Sequence, residues 1–270
     1  MAYLIFIVAV GLYALLGAGG PLHRDAWFEA LNQRVDALEL ELLPSLALRV
    51  GAPLFACGML LFVLRAVMGG LADALIGTAL LYFALGRGDY PTDLARFLAR
   101  ARVGDTEGAA LLLDDFQPEA SASEGQRTRA MTQFTGRGFS RWFPPVFYFW
   151  LLGPLAAAGY RLFGLVNIRA DGRLDSVQVI LDWLPARLSL LTFALLGDFE
   201  RTRGLLTADA FDKEVSNQVL LARGVTRAWQ LESGDCDEPE DVVEAVEASR
   251  TAINRAMAVW VVLASLGALF

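Results

Sequence analysis

Two cysteines, one histidine and one lysine in 270 residues exclude several kinds of site at once. Cys57 lies in an apolar run and Cys236 in an acidic stretch, so no disulfide framework is available. His23 is the only histidine, and its spacing from the cysteines fits no zinc ligand pattern, so no metal site is expected. Lys213 stands in Phe-Asp-Lys-Glu-Val-Ser without a Gly-rich lead, which excludes a Walker A phosphate loop. GxGxxG, HExxH and GxSxG are missing too. Charged residues make up only 20% of the chain, and the net charge of −7 excludes the basic face of a nucleic-acid binder. No cofactor is expected from any motif.

Apolar residues are what the chain has most of. They make up 55% of it, against about 45–50% in soluble domains. They gather into runs at 2–18, 50–68, 70–86, 142–166, 177–198 and 256–270. A straight membrane span needs roughly 20 residues, and several of these runs are shorter. The pattern predicts an all-α, polytopic integral membrane protein with about six membrane helices, read as one membrane domain over 1–270. The N-terminal run has no basic lead and no small-residue cleavage site, so it is expected to stay as a membrane segment.

Arginine sets the expected orientation. The 87–141 loop holds eight arginines, and 199–255 holds six with Lys213. The positive-inside rule puts both loops in the cytoplasm together with 19–48, and both termini and the 167–176 connection outside. The location implied is a bacterial inner membrane, with the lipid bilayer as the first partner.

The loops carry helical periodicity. Over 25–43, Trp27, Leu31, Val35, Leu38 and Leu42 recur at helical spacing. Leu94, Phe97 and Leu98 do so over 92–102, and Phe211, Val215, Val219 and Ala222 over 208–231. Ser121 and Glu124 form a capping box. Asp237 reads as an N-cap before Pro239, from which one long helix runs into the last apolar segment. Trp27, Trp142, Trp183 and Trp229 suit either membrane-interface anchoring or core packing.

The stretch LDWLPARLS, 181–189, puts an Asp, a Pro and an Arg inside an otherwise apolar helix. Asp175, Asp182 and Ser189 are spaced by seven and share one helix face. Arg187 is five residues from Asp182, about 140° round a regular helix. Pro185 removes the donor to the Leu181 carbonyl and predicts a kink that swings Arg187 toward Asp182. A charge in mid-membrane costs roughly 2.5–3.5 kcal/mol, so each needs a partner. Two readings fit: a structural salt bridge, or an anion-accepting pocket to which Arg137, Arg141 and Arg161 also contribute. Gly136 and Gly138 bracket Arg137 in FTGRGFSRWFPPV, which reads as an anion nest or as a Gly-rich entry into a helix started by Pro144-Pro145.

The stretch DSVQVILDWLPARLSLLTFALLG, 175–197, resembles the signature of the AmpE / CobD–CbiB membrane superfamily, and its AmpE branch most. The resemblance rests on Asp175, Leu181-Asp182-Trp183, Pro185 and Arg187-Leu188, with support from PVFYFW at 145–150, from LHRDAWFEALNQRV and from the Val-rich tail at 259–263. It implies a regulator of inducible β-lactamase, an inner-membrane sensor of cell-wall stress. The ligand-binding residues expected are Asp175, Asp182 and Arg187 of the motif, with Arg137 and Arg141 from the pocket reading. The sensor's partners would be a cytoplasmic protein and a peptidoglycan-derived or nucleotide-like anion. The enzymatic branch forms an amide in cobalamin synthesis and carries an E-N-x-x-D-G motif. Here GRGFSRWFPP, 136–145, lacks those carboxylates, so no catalytic residue is expected. A membrane ligase or transferase acting on another substrate is the alternative.

Overall fold

The computed structural model describes residues 1–16, 26–86, 90–114, 125–169, 173–212, 215–231 and 238–267. His23, Ser121, Glu124, Lys213, Cys236 and Asp237 lie outside the described residues. Among the described residues the fold is all-α. In chain order the helices are α1 (Ala2–Leu16), α2 (Ala26–Asp36), α3 (Leu42–Met68), α4 (Gly70–Ala84), α5 (Tyr90–Arg102) and α6 (Thr106–Asp114). Then follow α7 (Gln126–Leu152), α8 (Pro154–Arg169), α9 (Asp175–Leu196), α10 (Phe199–Thr207), α11 (Asn217–Ala228) and α12 (Pro239–Gly267). A π-turn at Ala47–Gly51 lies within α3, and a 3₁₀ turn, Asp209–Phe211, follows α10.

The chain divides into two compact units. The first comprises 1–88 and 144–181, the second 89–143 and 182–270. The divisions fall inside α7, just before Pro144-Pro145, and inside α9, a few residues before Pro185.

In the first unit α4 packs against α1, α3 and α8. Gly77 permits the close approach of α1, since a Cβ there would stand 2.8 Å from the Ile5 Cδ1. Phe6 stacks on Phe149 at 6.2 Å and meets Trp150 edge-on at 5.5 Å. Phe28, Leu162, Val166 and Leu174 form a further buried cluster. The second unit has one core built on Leu190, Phe193, Leu220, Leu221, Val225 and Ala252. Its other core joins Leu94 and Phe97 of α5 to Phe134 of α7 and to Val242 and Val246 of α12.

Among the described residues two helices are long and apolar enough to cross a membrane, α3 and α9. They differ in how they are covered. In α9, 39% of the apolar window is buried, whereas in α3 none of it is. Phe55, Phe62 and Val67 of α3 stand more than two-thirds exposed (Phe62 72%) along a helix of mean hydropathy 2.0. Burying a large apolar side chain is worth about 1.5–3 kcal/mol, and the bare apolar length of α3 is consistent with a membrane setting. At 15 and 15 residues, α1 and α4 are apolar but shorter than a straight crossing needs.

Several elements depart from the sequence reading. The 142–166 run is not one helix: α7 ends at Leu152, Gly153 adopts φ +91°, and α8 starts at Pro154. The chain reverses there because only glycine takes that φ without strain, and proline is pre-set for a first helical turn. As a consequence the end of α8 lies beside α2. Arg169 at the end of α8 pairs with Glu29 at 2.6 Å and Asp36 at 2.9 Å, both on α2. Helix α2 stops at Asp36, where Arg49 and Arg169 bind the carboxylate and Glu39 turns the chain at φ +48°. Its buried face is Phe28, Asn32 and Val35, and Leu38 and Leu42 are exposed. The 208–231 segment is broken too. Ser216 caps a fresh helix by accepting the Val219 N–H at 3.3 Å, and Phe211 is left exposed. Helices α5 and α12 match their sequence reading, with Leu94, Phe97 and Leu98 buried and one helix running on from Pro239. Trp142 and Trp229 pack on the core of the second unit, whereas Trp27 and Trp183 are partly exposed, at 46% and 39%.

Candidate functional site

The motif residues of α9 fall into two groups. Asp175 opens the helix in the first unit, where a carboxylate is favoured by the helix dipole. Its Oδ1 accepts from Asn167 Nδ2 at 2.8 Å, and Asn167 Oδ1 accepts the Leu174 N–H at 3.1 Å. Asp175 therefore helps order the turn into α9. Asp182, Pro185 and Arg187 belong to the second unit.

The helix runs unbroken through Pro185. The carbonyl of Leu181, which Pro185 cannot serve, accepts a hydrogen bond from the Tyr148 hydroxyl at 2.9 Å. One turn further on, Ser189 Oγ donates to the Pro185 carbonyl at 2.9 Å. The expected meeting of Arg187 with Asp182 does not occur. Arg187 Nε donates to the Ala210 carbonyl at 2.8 Å, and its Nη1 donates to the Trp183 carbonyl at 3.3 Å and to Asn217 Oδ1. The i,i+4 spacing brings the guanidinium over the Trp183 ring, 4.8 Å from its centre. Phe211 of the 3₁₀ turn packs on the same indole at 6.2 Å.

Every acceptor that Arg187 meets among the described residues is thus neutral. Among the described residues no carboxylate pairs with it. Asp182 is half-buried and has other partners. A half-buried cation held by carbonyl and amide oxygens is satisfied in hydrogen bonds and uncompensated in charge. Such a group favours an anion.

No family model, no curated protein and no solved structure matches this chain.

The remaining residues singled out from the sequence are placed otherwise. Arg137 Nη1 donates to Asp93 Oδ2 at 3.1 Å, tying α7 to α5. Arg141 lies 6.0 Å from the Trp142 ring centre. Arg161 belongs to the first unit, where its guanidinium lies against Gly86, and Arg137, Arg141 and Arg187 belong to the second. Residues 134–146 form neither a nest nor a helix start, because α7 passes through all of them. The glycines there serve close packing instead. A Cβ on Gly136 would lie 2.9 Å from Gln218 Cγ, and one on Gly138 would lie 3.0 Å from Ile253 Cγ1. Among the described residues no group of three or more His, Cys, Asp or Glu is placed to hold a metal ion.

Sequence reasoning missed Tyr148, Ala210 and Asn217. Asn217 had a visible signal, the Ser216 N-cap before it, which marks the start of a helix. The backbone carbonyl of Ala210 had none.

Proposed function

We propose that this chain is a multi-pass inner-membrane sensor and regulator of the AmpE type, with about six membrane helices, linked to β-lactamase induction. It takes a small anionic ligand at Arg187. The observation that carries the ligand reading is the charge state of that site: a half-buried guanidinium with neutral acceptors and no carboxylate partner among the described residues. A guanidinium–carbonyl bond has one charged partner and a guanidinium–anion bond has two, so an anion gains more at Arg187 than a carbonyl does. The bare apolar length of α3 supports the membrane location. The likeness of 175–188 to the AmpE signature supports the regulatory role, and the absence of the E-N-x-x-D-G carboxylates weighs against the enzymatic branch.

The ligand class is a phosphate- or carboxylate-bearing molecule of the peptidoglycan-derived or nucleotide-like kind. The test is β-lactamase induction in a strain that requires this protein. Arg187→Gln is expected to abolish induction while the protein stays in the membrane at wild-type level. Full induction by Arg187→Gln would overturn the reading.

A further inference from the structure

The acceptors that hold Arg187 do not come from its own helix alone. Ala210 lies in the Asp209–Phe211 turn and Asn217 opens α11. Both are buried, yet each reaches Arg187 by a single neutral oxygen. Phe211 follows Ala210 and covers the Trp183 indole on which the guanidinium lies. Ala210 and Asn217 thus take up Nε–H and an Nη1–H of Arg187, donors that an anion would use.

We propose that the Ala210 carbonyl and the Asn217 amide are an internal stand-in for the anion, and that ligand binding displaces them and releases the Asp209–Phe211 turn from α9. This rests on the anion reading of Arg187 given above. Two anionic oxygens satisfy a guanidinium in bidentate fashion, which a carbonyl and an amide from separate elements do less well. Ala210 and Asn217 are buried here, so the displaced carbonyl and amide are rehydrated only as the turn comes away from α9. The exchange converts occupancy of one arginine into freedom of a surface turn and of the start of α11, where a cytoplasmic partner can read it. Its reach is set by differential affinity: the anion shifts the turn only as far as it binds the released state better.

The probe is inorganic phosphate, used on the full chain in phosphatidylcholine nanodiscs, with a second arm in phosphatidylglycerol nanodiscs without free phosphate. Amide hydrogen exchange at 209–212 is expected to rise in whichever arm supplies the natural anion. A response to free phosphate identifies a soluble ligand, and a response to phosphatidylglycerol alone identifies a lipid headgroup. Asn217→Ala removes one internal competitor and is expected to bind the responding anion about fivefold more tightly, the factor carried by an ordinary hydrogen bond. Asn217→Asp supplies a permanent carboxylate and is expected to bind it more weakly than wild type. The opposite signs separate competition from misfolding, which would weaken both. Binding that needs Arg187 but leaves exchange at 209–212 unchanged, with both Asn217 variants equal to wild type, would overturn the displacement and leave the ligand site standing. No binding in either arm would overturn both.

Discussion

The Tyr148 hydroxyl donates to the Leu181 carbonyl at 2.9 Å, the one acceptor in α9 that Pro185 leaves without its backbone donor. A proline in mid-helix and a tyrosine on the preceding long helix are thereby a matched pair. Tyr148→Phe leaves that carbonyl unsatisfied in an apolar setting, at a cost of about 1–3 kcal/mol. Pro185→Ala restores the amide donor, so the same Tyr148→Phe change should cost much less in the Pro185→Ala background. Thermal melts of the four proteins in one detergent give the double-mutant cycle. Equal costs in both backgrounds would show that the two residues are not coupled.

Asp36 predicts an acid-sensitive hold on α2. The Arg49 hydrogen bond lowers its pKa below the ordinary 3.8, burial opposes, and Arg169 adds to the lowering. The carboxylate is therefore more favoured in the folded state than in the unfolded one. The stabilisation is fully present above pH 3.8 and is lost as the pH falls through the lower folded value. The melting-temperature gap between wild type and Asp36→Asn should be flat from neutral pH down to about pH 5 and shrink below that. A gap independent of pH down to acid unfolding would remove Asp36 from the account.

The glycines sort by what stands against them. A Cβ on Gly197 collides with the backbone carbonyl of Ala228, and one on Gly11 meets nothing. Gly197→Ala is expected to destabilise by about 1–3 kcal/mol because backbone cannot step aside cheaply. Gly11→Ala should be neutral or stabilising by up to about 1 kcal/mol. Gly138→Ala should fall between them, as Ile253 and Tyr90 must both give by a few tenths of an ångström. Melting temperatures check the order, and a Gly11→Ala loss larger than the Gly197→Ala loss would contradict it.

The Arg169–Glu29 ion pair ties the end of α8 to α2, so the two should share one side of the membrane in the proposed topology. With Cys57 and Cys236 replaced by serine, single cysteines at Arg34 and Arg173 should react with an impermeant maleimide from the same side of intact cells or inverted vesicles. Labelling from opposite sides would break the arrangement of α2 against the end of α8.

Periodicity made the helices that bury one continuous stripe legible, as for Leu94, Phe97 and Leu98 in α5 or the long helix from Pro239. It failed where a residue type has two uses. Gly136 and Gly138 read as turn formers, yet they serve the close approach of Gln218 and Ile253 to a helix that never breaks. Pro144 and Pro145 read as a helix start but sit inside α7. Gly153-Pro154 is a turn signal, but the long apolar run around it outweighs it and hides the reversal at φ +91°. At the site, the i,i+4 spacing of Trp183 and Arg187 was readable, but their partners were not. Ala210 and Asn217 lie 23 and 30 residues further along the chain, and one of them contributes only a backbone carbonyl.

The central claim is that Arg187 holds an anion. Native mass spectrometry of the gently purified protein, wild type beside Arg187→Gln, tests it most directly. The account predicts a small anionic adduct on wild type that is missing from Arg187→Gln, with a mass that separates nucleotide, muropeptide and lipid. No adduct on either protein, or the same adduct on both, would contradict it and leave Arg187 as a structural tie between α9 and the Asp209–Phe211 turn.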